Sequence, residues 1–240
     1  METRTVAVLP WLQVKSATLA SLVLISAGSA AIACAPPAEA PAPAATATPA
    51  PAPEAPVVLF LGTSLTAGLG LDPAQAYPER IAERIRAAGL PHRVVNAGVS
   101  GETAAAARRR LDWLLKQRVD VLVIETGAND GLRGQDPDAT RADIQALIAR
   151  ARELRPATRI LLVGMQAPPN LGRPYAERFR AIYPELARAN EIALVPFLLD
   201  GVAGVPGLNQ PDGVHPTAAG QERVAENVWA VLRPLLSDGS

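Results

Sequence analysis

Cysteine occurs once in the 240 residues, at Cys34, and histidine twice, at His92 and His215. A disulfide within the chain is therefore excluded. So is most metal chemistry, because a zinc site needs three or four closely placed N, S or O ligands and no such cluster is present. Lysine is almost as scarce: Lys15 and Lys116 stand alone among the basic residues, and the rest are arginine. The 23 basic and 23 acidic side chains cancel, so no net field steers the chain toward nucleic acid or an anionic surface. The densest basic run, Arg108-Arg109-Arg110, fits a solvated helix face better than a binding patch.

What the first third of the chain has in abundance is alanine and proline. Residues Ser16 to Ala33 form an uncharged run of small and apolar residues after Lys15, the pattern of a secretory signal peptide. The run is too weakly hydrophobic and too short to read as a membrane span. Thirteen residues ahead of Val14 make a long leader, and Val14 would be the start if its codon is GTG. Two cleavage readings meet at one place. Ala31-Ile32-Ala33 is an A-x-A site for release, whereas Cys34 directly after it resembles a lipobox cysteine, with Ala31 where Leu is usual. The lipoprotein reading is favoured, partly because the chain's single cysteine falls there. Residues 35–56 then carry eight prolines in 22 positions, an extended spacer of about 3.1 Å per residue, roughly 70 Å in all. The expected organisation is a leader over 1–34, a Pro/Ala-rich linker over 35–56 and one folded domain over 57–240.

From Val57 onward short β-branched runs alternate with amphipathic stretches. The strands expected are Val57–Leu61, Arg93–Ala97, Val119–Glu125, Arg159–Gly164 and Ala193–Phe197. Helices are expected over Pro78–Ala88, Thr103–Lys116, Pro137–Leu154, Pro174–Asn190 and Thr217–Leu236. Such alternation implies an α/β fold, a three-layer α/β/α sandwich around a five-stranded parallel sheet, and near-continuous apolar strands imply cover on both faces. Five strands suit the flavodoxin-like order 2-1-3-4-5, which puts the ligand crevice at the carboxyl ends of strands 1 and 3.

Four segments fall where that rule says to look. After strand 1 comes Gly62-Thr63-Ser64-Leu65-Thr66-Ala67-Gly68, a serine on a tight turn, which in isolation is equally a capping or turn serine. Neither a Rossmann fingerprint (Pro73 stands where glycine is needed) nor a Walker A loop (no Gly-Lys) fits, and Thr66 breaks the G-x-S-x-G elbow. After strand 2, Gly98 in Asn96-Ala97-Gly98-Val99-Ser100-Gly101-Glu102-Thr103 would let a backbone N–H approach a substrate oxygen, or simply make a βα turn. After strand 3, Asn129 in Gly127-Ala128-Asn129-Asp130-Gly131 is able to donate to a developing oxyanion, though Asn-Asp-Gly is also good turn chemistry. The sharpest signal is Asp212-Gly213-Val214-His215-Pro216. An Asp three residues before a His can curl back and accept from Nδ1–H, leaving Nε2 to take a proton from a serine. His92, in a loop without an adjacent carboxylate, reads as structural.

Taken together, these blocks resemble the GDSL/SGNH hydrolase family, and "VVNAGVSGET", "GANDGLRG", "YAERFRAIYP" and "PDGVHP" resemble its branch of bacterial periplasmic thioesterases, lysophospholipases and arylesterases. The resemblance implies Ser64 as nucleophile, His215 as base and Asp212 as its partner. It implies an oxyanion hole from the Ser64 N–H, the Gly98 N–H and the Asn129 side chain. The segment Met165 to Gly172 would border the acyl pocket, with Met165, Ala167 and Pro168 as wall residues. The implied activity is cofactor-free hydrolysis of carboxylic esters or thioesters, on small-molecule or lipid substrates, by an exported bacterial enzyme that meets the membrane only through a lipid at Cys34. A carbohydrate O-deacetylase or a non-catalytic binding lipoprotein on the same scaffold are the alternatives. One position departs from the pattern: the family usually has Asp directly before the serine, and here it is Thr63.

Overall fold

The structure, a computed structural model, describes residues 54–237. The leader, Cys34 and most of the proline-rich segment lie outside them. Five parallel strands form one sheet in the order β2-β1-β3-β4-β5: β1 Val57–Gly62, β2 Arg93–Gly98, β3 Val121–Glu125, β4 Arg159–Val163 and β5 Ala193–Val195. This is the order expected. β1 (VVLFLG) and β3 (VLVIE) are buried at every position. Strands without alternation need helices on both faces, because each side chain, up or down, must leave water.

The five expected helices are α2 (Tyr77–Ala87), α3 (Ala104–Leu114), α5 (Pro137–Leu154), α6 (Arg173–Ala189) and α7 (Ala218–Ser237). α2 packs with α7, while α3 packs with α5 and α5 with α6. Local sequence explains how they begin and which side they bury. Tyr77, Ile81 and Ile85 recur every fourth residue and form the buried face of α2. Helix α5 opens on Asp136, whose side chain accepts from the Asp138 N–H, followed by Pro137 at its first position.

Beyond shifts of a residue or two at other element ends, the structure differs from the sequence expectation as follows. β3 starts at Val121 rather than Val119. β5 stops at Val195 rather than Phe197, since Pro196 has no N–H to give the ladder. Two short helices, α1 (Ser64–Ala67) and α4 (Ala128–Leu132), stand where only turns were expected; at four and five residues they are too short to carry a 3.6-residue pattern. Both sit at the carboxyl ends of strands flanking the crevice.

Between β4 and β5 the chains approach closely at Gly164. Its N–H donates to Val195 O at 2.8 Å and its carbonyl accepts from Leu198 N–H at 2.9 Å. A Cβ there would lie 2.2 Å from Pro196 O, and a backbone atom cannot step aside as a side chain can. Gly164→Ala is therefore expected to lose about 1–3 kcal/mol, read as a lower urea midpoint; an unchanged midpoint would show that the β5 end relaxes freely.

Candidate active site

The serine turn begins where β1 ends. Thr63 caps α1, its Oγ1 accepting from the Leu65 N–H, and Gly68 closes the helix in the left-handed region at φ 71°. Ser64 is the first residue of α1, so its N–H has no intrahelical acceptor and is free to serve a ligand.

His215 reaches this serine from 151 residues away: Nε2 lies 2.9 Å from Ser64 Oγ. On the other side of the ring, Nδ1 lies 2.6 Å from Asp212 Oδ2. The second carboxylate oxygen, Oδ1, accepts the backbone N–H groups of Val214 (2.9 Å) and His215 (3.0 Å). Those donors come from the loop that carries the histidine, so the acid and the base are one local unit. Gly213, at φ 68°, supplies the left-handed residue the turn requires. The Asp212 carboxyl is held down at about 2, first by the His215 N–H and then by the imidazole itself. The carboxylate is thus an anion at any working pH although it stands largely in solvent.

Gln210, which the sequence reading passed over, ties the histidine loop to the serine loop. Its Nε2 donates to Leu69 O at 2.7 Å and to Pro216 O at 2.9 Å, and its backbone N–H donates to His215 O at 2.7 Å. Gly70 leaves room for it: a Cβ there would meet Gln210 Oε1 at 2.4 Å. Gln221 of α7 adds a second link, accepting from Tyr77 N–H at 2.9 Å and donating to Leu65 O at 3.2 Å.

Of the donors expected for an oxyanion, Asn129 and Gly98 fare differently. Asn129 is half-buried in α4, with one amide hydrogen given to Glu102 O at 3.0 Å and the other without an acceptor among the described residues. Its neighbour Asp130 fixes the same segment by accepting from the Ala104 N–H at 3.0 Å. Gly98 does not fit the part. Its N–H donates to Asn96 Oδ1 at 3.0 Å, and a Cβ there would lie 2.4 Å from Ala67 N and 2.9 Å from Thr63 O. Gly98 is glycine so that β2 can close against α1, and its N–H is already committed. Further along the same loop, the N–H groups of Ser100 and Gly101 have no acceptor among the described residues. Gly101 has φ 78°, and its carbonyl is held by Arg133 Nη2 at 3.1 Å. Both glycines lie in the motif read from the sequence; which N–H is spent on the fold is visible only in three dimensions.

Beneath the serine turn lies Glu125, the last residue of β3 and wholly buried. Its Oε2 accepts from the Thr63 N–H (2.8 Å), the Thr63 hydroxyl (2.9 Å) and the Thr66 hydroxyl (2.8 Å). Burial pushes its carboxyl up, and the Thr63 and Thr66 donors oppose that. Tyr77 Oη lies 2.8 Å from Thr66 Oγ1. Its phenol is pushed well up by burial and by Glu125, so it stays protonated and donates to Thr66.

The remaining expectations resolve simply. His92 immediately precedes β2, at the amino end of the sheet and so remote from the serine, and its buried Nδ1 has no partner among the described residues. Met165, Ala167 and Pro168 do follow β4 at the carboxyl edge, but Met165 is buried in the core and Ala167 packs against it, so Met165 is no surface for a substrate as it stands. Four of the exposed large apolar side chains, Leu69, Val99, Leu132 and Val214, belong to the segments that carry Ser64, Gly101, Asn129 and His215, whereas Trp113 and Val205 lie elsewhere.

A serine hydroxyl at a strand-to-helix turn, an imidazole held by a carboxylate and amide donors left free in adjoining segments are the parts that a serine hydrolase combines. The comparisons agree: residues 60–223 match the model of the GDSL-like lipase/acylhydrolase family, and the chain belongs to that family. It is 43% identical over 183 residues to the esterase TesA of Pseudomonas aeruginosa, covering 76% of this chain and 90% of that one. It is 35% identical over 189 residues to thioesterase 1/protease 1/lysophospholipase L1 of Escherichia coli, covering 78% and 88% respectively. A crystal structure of TesA superposes with a TM-score of 0.72 at 42% identity, covering 75% of this chain and 99% of that one.

Asp212→Asn tests the acid partner. Asparagine keeps an oxygen for the two backbone donors but turns an amide toward Nδ1, which favours the wrong tautomer; kcat should fall by about 10⁴. Because Asp212 is ionised down to a pH of about 2, the acid side of the wild-type kcat/KM profile should contain no Asp212 titration above that pH. A limb assignable to Asp212 above that pH would contradict the geometry.

Proposed function

We propose that the protein is an exported serine esterase that hydrolyses carboxylic esters or thioesters by two-step acyl transfer. The observation that carries this reading is the Ser64–His215–Asp212 relay, with contacts of 2.9 and 2.6 Å. Ser64 Oγ attacks the acyl carbonyl while Nε2 of His215 takes its proton, and Asp212 stabilises the imidazolium that forms. The tetrahedral oxyanion is met by the Ser64 N–H, the free amide hydrogen of Asn129 and the Gly101 N–H, which takes the place expected of Gly98. His215 then gives its proton to the departing alcohol or thiol, and water attacks the acyl-enzyme by the same route in reverse. Similarity to an esterase and to a thioesterase/lysophospholipase supports both leaving groups. The leader and Cys34 support export with a lipid anchor.

Ser64→Ala should fold normally, lose labelling by a fluorophosphonate probe and lose turnover of p-nitrophenyl esters by roughly 10⁴–10⁶. A folded Ser64→Ala protein with near-normal turnover overturns the mechanism. Turnover restricted to acetyl groups on sugars would instead point to a carbohydrate deacetylase. Asn129→Ala should lower kcat by about 10²–10³ with little effect on KM, since the charge it stabilises is complete only in the transition state; a change confined to KM would remove Asn129 from the oxyanion hole. Cys34→Ser should move the protein from the detergent phase to the soluble periplasmic fraction, and a wild-type protein already found there would mean ordinary leader cleavage.

A further inference from the structure

The position before the serine, where the family usually has Asp and this chain has Thr63, leads to the buried acid beneath it. We propose that Glu125 is a positioning residue for the nucleophile, and that Thr63 and Thr66 are the two handles by which it fixes Ser64 against His215; this rests on Ser64 being the nucleophile.

The geometry is specific. The donors to Glu125 come from the residue before Ser64 and from the residue two after it: the Thr63 N–H and hydroxyl, and the Thr66 hydroxyl. The Thr63 hydroxyl also approaches the other carboxyl oxygen, Oε1, at 3.1 Å. Serine is thus clamped from both sides by one group, at the end of an inner strand of the sheet. The chain is shaped around this contact. Gly62 lacks the Cβ that would fall 2.0 Å from Thr66 Oγ1 and 2.9 Å from Glu125 Oε2. Tyr77 Oη, on α2, backs Thr66 from the far side at 2.8 Å. A fold seeking only stability would continue the apolar run of Val121–Ile124, because a buried carboxyl without a cation is costly. Among the described residues every hydrogen-bond partner of its carboxyl is Thr63 or Thr66, the cap and the third residue of the four-residue helix that begins with Ser64.

Thr63 fits the same logic. An aspartate there would set a second carboxylate against Glu125, and two such groups in contact cannot both ionise. A hydroxyl donates to Glu125 while accepting from the Leu65 N–H, so one acid serves the turn alone.

The role is separable from mere stability by how kcat, KM and serine labelling move together. A displacement of about 1 Å at a reacting atom costs on the order of 10² in rate. In the full-length protein, Glu125→Met, which keeps volume and removes every acceptor, should lower kcat and the rate of fluorophosphonate labelling of Ser64 by about 10², with KM little changed. Glu125→Gln should restore most of both, because its amide oxygen still accepts the Thr63 N–H. Should the Met variant not fold, Thr63→Val and Thr66→Val read the same clamp from the other end, and each should lower kcat and labelling together while Thr63→Ser retains them. A folded Glu125→Met protein, or folded valine variants, labelled at the wild-type rate would overturn the proposal. So would a Gln variant no better than Met. A wild-type protein that the probe does not label at Ser64 would instead overturn the mechanism on which the proposal depends.

Discussion

The contact between Ser64 Oγ and His215 Nε2 joins residues 151 positions apart, and most of the irregular structure exists to hold it at hydrogen-bond distance. The serine follows β1, an inner strand of the sheet held by β2 on one side and β3 on the other. The histidine comes from a loop between β5 and α7 with no strand of its own. Bringing a loop to a rigid edge costs entropy, and the chain offsets it with Gln210 across to Leu69 O and Gln221 across to Leu65 O. Both glutamines bond to main-chain carbonyls, so the register of the two loops does not depend on which side chains a substrate displaces.

The two carboxyl groups nearest the serine turn and the histidine loop lie at opposite extremes. Asp212 is open to water and is held near a pKa of about 2 by backbone N–H groups and the imidazole. Glu125 is sealed in the sheet and pushed upward by burial against its hydroxyl and amide donors. Environments pulled apart in this way let one chemical group do two jobs. In the proposed mechanism the exposed acid acts electrostatically on a proton transfer while the buried one is a fixed acceptor, so the charge that assists chemistry need not be carried into the core.

Much of this was legible in the sequence, and the reason is locality. The five strands declared themselves as apolar runs and fell in the expected order. Asp212 and His215 were found together because three residues of spacing through a glycine nearly determine their geometry. What escaped notice depends on distant partners. Gly98 and Gly101 are equivalent as letters; only the Asn96 side chain, spending the Gly98 N–H, distinguishes them. Glu125 reads as the polar end of a hydrophobic strand until Thr63 and Thr66 are seen folded over it, and Gln210 has no local signature at all. The short helices α1 and α4 were hidden for a different reason, since one turn of helix and one tight turn have the same composition.

The brevity of β5 has a bearing on how copies of the molecule meet in a crowded compartment. A sheet edge is a row of unpaired amide and carbonyl groups that invites a neighbour's strand. At this edge the row is three residues, Ala193–Val195, and proline follows at once, withholding the next donor. An incoming strand finds too few rungs to hold, so the edge is closed to growth by sheet addition. The same residue that cut the strand short in the ladder also protects this edge of the sheet from pairing with a neighbour's.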